Sequence, residues 1–187
     1  MNIIKTDFPG LAIIEPKVFG DERGYFYESY NEKVMVQAGI HTIFKQDNQS
    51  FSKYGVIRGL HFQLNPHSQT KLIRVIEGAI YDVVLDLRKD SPTFGKWFGI
   101  DLSAENKRQL YIPKGFAHGF SVLSPQTIIL YKCDNFYNPQ FEGGILYNDP
   151  ALAIDWKIDP DKATVSDKDK ILPTFDQLET NFLLSAS

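Results

Sequence analysis

From Thr42 to Asp134 the chain is a succession of apolar, β-branched and aromatic runs, each cut short by a turn signal. The runs are Thr42–Ser50, Val56–Gln63, Lys71–Glu77, Ala79–Leu87, Phe94–Leu102, Arg108–Ile112, Ala117–Leu123 and Thr127–Asp134. Between them stand Lys53-Tyr54-Gly55, Asn65-Pro66, Glu77-Gly78, Asp90-Ser91-Pro92, Pro113-Lys114-Gly115 and Ser124-Pro125. Runs of this length and chemistry read as strands. Short strands at this spacing hide their edges by pairing as two sheets or closing into a barrel, so a mainly β jelly roll is expected. Aromatic residues at 13%, with 13 Gly and 10 Pro, agree.

Upstream, Leu11–Val18 and Gly24–Tyr30 read as strands around a Gly20-Asp21 turn, followed by a helix over Glu32–Ala38. Asn31 is suited to cap that helix and Gly39 to stop it. The tail from Asp155 onward is mixed, with a short helix expected near Phe175–Leu183. The 187 residues contain no repeat and no long polar linker, so one domain spanning 1–187 is expected. A net charge of −3 supplies no global field for nucleic acid or an anionic membrane. Any anion must therefore meet a local group of Arg and Lys. Cys133, the only cysteine, excludes an intrachain disulfide framework and suits a reducing compartment. No apolar run approaches the ~18 residues of a membrane span, and MNIIKTDFPG lacks a signal-peptide core. These features predict a cytoplasmic protein.

Strand alternation shows which polar groups face inward. Tyr131 shares a face with Thr127, Ile129 and Cys133, and Lys71 with Ile73, Val75 and Glu77. An inward lysine is rare without a counter-charge. His61 shares a face with Ile57 and Gln63, whereas Arg58 lies on the opposite one. If Arg58 and His61 serve one site, Gly59 must break the alternation as a β-bulge. Taken singly, His61 and His118 also suit satisfied core histidines, Tyr131 suits packing, and Arg23 with Glu28 suits a solvated surface pair. Together they suit a barrel interior that holds a small anion and moves protons. Phosphate loops, dinucleotide fingerprints, G-x-S-x-G, CxxC, HExxH and EF-hand loops are absent. A metal-binding barrel wants two or three His with a carboxylate, but this chain reads His61-Phe62-Gln63 where a second His is expected.

Several segments carry a family resemblance: RGYFYES (Arg23–Ser29), QDNQSFS (Gln46–Ser52), GVIRGLHFQ (Gly55–Gln63) and KLIRVIEGAIYDVVLDLR (Lys71–Arg88). IPKGFAHGF (Ile112–Phe120), YKCDNFYNPQFEGGILYNDP (Tyr131–Pro150) and SDKD (Ser166–Asp169) continue it. In order and content these resemble the dTDP-4-dehydrorhamnose 3,5-epimerases, over nearly the whole chain. The resemblance implies a cupin jelly roll, or double-stranded β-helix barrel, with short flanking helices. It also implies a homodimer sharing N-terminal strands, with no metal and no organic cofactor. The substrate implied is a dTDP-4-keto-6-deoxyhexose.

In such a substrate the 4-keto group acidifies the protons on C3 and C5. Inversion needs a base on one face, an acid on the other, and a partner for the enolate oxygen. By resemblance His61 is the base, Asp169 the carboxylate that orients it, Tyr131 the acid and Lys71 the enolate's partner. Arg23 and Arg58 match diphosphate contacts. Glu28, Gln46 and Asn48 match nucleotide hydrogen bonds, and Tyr137 matches an aromatic that stacks on thymine, with Phe26 beside it. His118, Glu142 and Lys168 match further substrate contacts. The segment from Arg23 to Glu28 is expected to act in the partner's site. Departures fall at Lys114, where an acid is common, and at Cys133, where Thr is frequent. Three alternatives remain open on sequence: a single-site epimerase or ketoisomerase on a related sugar, a metal-dependent cupin oxygenase, and a nucleotide-sugar binding module without chemistry.

Overall fold

The computed structural model describes residues 1–184. Its strands are β1 (Asn2–Lys5), β2 (Ala12–Glu15), β3 (Val18–Asp21), β4 (Gly24–Tyr27), β5 (Gln46–Lys53), β6 (Val56–Gln63) and β7 (Lys71–Glu77). They continue with β8 (Ala79–Asp86), β9 (Trp97–Ser103), β10 (Gln109–Ile112), β11 (Phe116–Val122), β12 (Gln126–Cys133), β13 (Glu142–Gly144) and β14 (Thr164–Val165). Two helices interrupt them, α1 (Glu32–Gln37) and the single turn α2 (Asp167–Lys170). None is long and apolar enough to cross a membrane.

One sheet runs in the order β1-β2-β10-β7-β12-β5, and the other β13-β6-β11-β8-β9, with β14 pairing parallel to β6. The sheets face each other across a core drawn from both, including Ile73, Val75 and Ile129 from the first and Ile80, Val84 and Phe120 from the second. This is the expected jelly roll. The second sheet is buried on its outer face too. Ile145, Leu152, Trp156 and Phe182 from the C-terminal segment cover Leu60, Phe62, Val83 and Leu85. That explains why β8 and β11 read as nearly unbroken apolar runs rather than as alternating ones. On the first sheet, α1 inserts Met35 against Ala12, Ile14 and Leu72. As expected, Asn31 caps this helix by accepting from the Val34 amide, and Gly39 follows it at φ +84°.

Several expectations need correction. The run Leu11–Val18 is two strands, because Pro16 has no amide to give a ladder and the chain turns away into β3. The hairpin turn lies at Glu22-Arg23, since Gly20 and Asp21 pair with Tyr25 and Gly24 inside the β3–β4 hairpin. Residues 42–45 form a loop before β5, held by Thr42 Oγ1 at 2.7 Å from the Tyr111 hydroxyl and by Phe44 edge-on to Tyr30. The helix expected over Phe175–Leu183 is one 3-10 turn, Phe175–Gln177. Tertiary contacts overrule local preference there. Thr180 and Asn181 bond to Leu87 and Asn65, and Phe182 packs edge-on against Phe62 at 5.9 Å, an arrangement met by extended chain.

Candidate active site

Two adjoining cavities of about 520 and 320 Å³ open between the sheets, and His61, Lys71 and Tyr131 line both. The larger also meets Arg58, His118, Lys168 and Asp169. The smaller meets Gln46, Asn48, Tyr137 and Glu142. A cavity of several hundred Å³ with a few convergent polar groups has the scale of a small-molecule site.

His61 and Arg58 reach the same cavity because β6 is irregular. His61 pairs with His118, yet Arg58 pairs with Phe120, so three steps on β6 face two on β11. Gly59 sits in this bulge at φ +109°, as the alternation argument required. Arg58 is steadied by its Nε donating to Ser52 Oγ at 3.1 Å.

The second element aimed at His61 comes from far along the chain. β14 pairs with the start of β6, and Ser166 then caps α2 by accepting from the Asp169 amide at 3.1 Å. This places the Asp169 carboxylate, 3% exposed, 2.7 Å from His61 Nε2, with its other oxygen accepting from the Gly59 amide at 3.3 Å. The bond to Asp169 engages Nε2 and leaves Nδ1 as the ring nitrogen able to take a proton. Tyr131 projects from β12 in the opposite sheet. Burial pushes its phenol upward, reinforced by Cys133 and opposed by Arg58, so it stays protonated at neutral pH. Lys71 projects from β7 and donates no hydrogen bond among the described residues. Burial pushes its amine downward, opposed by neighbouring Cys133 and Asp82.

The smaller cavity carries hydrogen-bonded polar groups. Gln46 donates to Asn48 at 3.0 Å. Glu142 accepts from Tyr137 at 2.9 Å and from Lys168 at 2.7 Å. Burial raises the Glu142 pKa, but those two bonds, with the charges of Lys168 and His61, outweigh it and hold the carboxyl below its ordinary value. Among the described residues no three or more His, Cys, Asp or Glu side chains gather as a metal site. His61 and His118 are each turned to a different aspartate.

Arg23, Phe26 and Glu28 do not join these cavities within one chain. They belong to the β3–β4 hairpin and the residue after it, where Phe19, Tyr25 and Phe26 are 54, 62 and 70% exposed. Arg23 there pairs with Asp21 at 2.5 Å. Asp82, wholly buried behind His118, was missed by sequence reasoning. The available signal was an acidic residue between Ile80 and Val84 on the inward face of a strand.

The dTDP-4-dehydrorhamnose 3,5-epimerase family model matches residues 5–177. The dTDP-4-dehydrorhamnose 3,5-epimerase of Shigella flexneri is 55% identical over 90% of this chain and 93% of its own. A crystal structure of that enzyme from Bacillus anthracis with TDP and pyrophosphate bound superposes at TM-score 0.90 and 54% identity, covering 93% of this chain and 99% of that one. The dTDP-6-deoxy-D-glucose-3,5-epimerase of Legionella pneumophila, in complex with dTDP-4-keto-L-rhamnose, gives TM-score 0.90 and 49% identity, covering 95% and 94%.

Proposed function

The chain belongs to the dTDP-4-dehydrorhamnose 3,5-epimerase family, and we propose that it inverts C3 and C5 of dTDP-4-dehydro-6-deoxy-D-glucose. The product is dTDP-4-dehydro-L-rhamnose, on the route to dTDP-L-rhamnose. The observation that carries the mechanism is the meeting of a His61–Asp169 pair from one sheet with Tyr131 from the other, Lys71 lining the same cavities.

The steps follow from that arrangement. His61 Nδ1 takes the proton from the carbon beside the 4-keto group, and Asp169 stabilises the imidazolium that forms. The electron pair moves onto the keto oxygen, where the Lys71 ammonium meets the developing charge. Tyr131 then gives a proton to the opposite face and the carbonyl reforms, leaving the centre inverted. Repeating the cycle at the other carbon completes the reaction. The tyrosinate and imidazolium return to their starting states through solvent.

Arg58 is assigned to the diphosphate, which its planar fork can grip through two oxygens. Gln46, Asn48, Tyr137, Glu142, His118 and Lys168 hold the rest of the nucleotide-sugar. The enzyme uses no metal or organic cofactor on this reading and works in the cytoplasm, in keeping with its lone, buried Cys133.

The active unit is a homodimer in which the β3–β4 hairpin of each subunit brings Arg23, Phe26 and Glu28 to the other's site. The exposed apolar face of that hairpin supports this arrangement. Arg23→Ala and His61→Ala subunits, each inactive alone, are expected to regain activity when mixed, because one of the two sites in the hybrid is then intact. Mixtures no more active than their parts would place Arg23 elsewhere.

The reaction itself is tested by proton NMR of the substrate with the protein in D2O. Deuterium is expected at both C3 and C5. Exchange at one carbon alone would leave a single-site epimerase, and exchange at neither would overturn the proposal.

A further inference from the structure

The buried ionisable group that the mechanism above does not use is Asp82. It lies in the row Ile80, Asp82, Val84 of β8, facing the inter-sheet core, and is 0% exposed. Such a carboxylate is tolerated only with hydrogen bonds and a compensating charge. Its hydrogen-bond partner is His118 Nε2, 3.1 Å from Oδ1 and 3.0 Å from Oδ2. His118 on β11 is bonded to it, and Lys71 on β7 feels its charge together with that of Cys133 on β12. The other titratable groups lining the cavities with Lys71 include Tyr131 on β12 and His61 on β6, itself held by Asp169. Among them Lys71 is the amine with no carboxylate of its own.

We propose that Asp82 is a positioning residue of this active site, fixing the ring of His118 and supplying the negative charge that balances Lys71. The inference deepens the epimerase reading and rests on it, since Lys71 matters here as the partner of the enolate. Accepting from Nε2–H obliges the His118 tautomer that carries a proton there, and the ring then presents Nδ1 to the cavity it lines. For Lys71 the effect is electrostatic. Burial works against the ammonium, and the Asp82 carboxylate is one of the two influences opposing that loss. Removing the carboxylate therefore lowers the pH at which Lys71 gives up its proton.

The test is the isosteric variant Asp82→Asn, followed by deuterium exchange at C3 and C5 across pH. Turnover is expected to fall about tenfold or more, short of the 10²–10³-fold loss from deleting an oxyanion donor outright. The alkaline limb of kcat should move down by about one unit or more, with dTDP affinity unchanged. Turnover that falls with the limb in its original place would reduce Asp82 to a packing role and overturn the inference. Wild-type turnover would do the same. If the variant does not fold, ¹H–¹⁵N correlations in the wild-type protein decide the His118 contact. A proton on Nε2 supports the contact, and a bare Nε2 overturns it. Wild-type protein is assayed beside the variant, and absence of exchange there would overturn the epimerase reading, leaving the tautomer to decide the Asp82 contact separately.

Discussion

Replacing His61 with alanine is expected to slow deuterium entry at C3 and C5 together, by about 10²–10⁴-fold, while dTDP still binds. Both carbons flank one keto group, so in the proposed mechanism one base serves both inversions as the ring is re-presented. His61 alone among the histidines combines a cavity position with the Asp169 carboxylate and a half-exposed ring. His118 has its own aspartate but a side chain only 10% exposed. Binding should survive because the diphosphate contacts proposed for Arg58 and Arg23 do not involve His61. Loss at one carbon only would require a second base, and undiminished exchange would return His61 to the ranks of satisfied histidines. The variant also separates an enzyme from a binding module, since a module would lose nothing it uses.

The strands between Val56 and Cys133 were legible because each is bounded by a strong turn signal and filled with β-formers. Val56–Gln63 and Lys71–Glu77 match their expected bounds, and the others move by a few residues. What escaped the sequence depends on contacts between distant segments. β13 and β14 are too short to carry a pattern, and they exist because the two ends of β6 offer open ladder positions. Phe182 reads as part of an amphipathic tail until Phe62 is found beneath it. The same distinction divides the site. His61, Tyr131 and Lys71 betray themselves as polar groups on inward faces. Asp169 lies in a polar run, and residue chemistry alone gives no reason to pair it with a histidine 108 positions earlier; the family resemblance was needed. Asp82 satisfied the inward-polar criterion but sits in a run so apolar that both faces look buried. Alternation loses its meaning where a sheet is covered on each side.

Gly59 is the residue on which fold and chemistry both turn, and Gly59→Ala is expected to damage both. At φ +109° an added Cβ is strained by about 1–3 kcal/mol, whatever the space around it. Here there is also no space. The Cβ would lie 2.6 Å from the His118 carbonyl oxygen and 2.7 Å from the Gly119 Cα, both backbone atoms of the paired strand. Neither can swing aside as a flexible side chain would, so β6 and β11 must separate at the bulge. The strain by itself lowers Tm by roughly 2–12 °C. Activity should suffer more, because the bulge brings Arg58 and His61 to one cavity and gives the amide that orients Asp169. Displacing a catalytic group by about 1 Å can cost on the order of 100-fold, and here the proposed base His61, its partner Asp169 and Arg58 shift together. Gly39→Ala is the matched control. It carries comparable strain at φ +84°, but nothing lies within 4 Å of its added Cβ, and it follows α1 outside both active-site cavities. Thermal melts and exchange rates on the two variants should therefore diverge, with similar or smaller loss of Tm in Gly39→Ala and full turnover. Wild-type turnover in Gly59→Ala would mean that the bulge does not aim His61 for the proposed reaction.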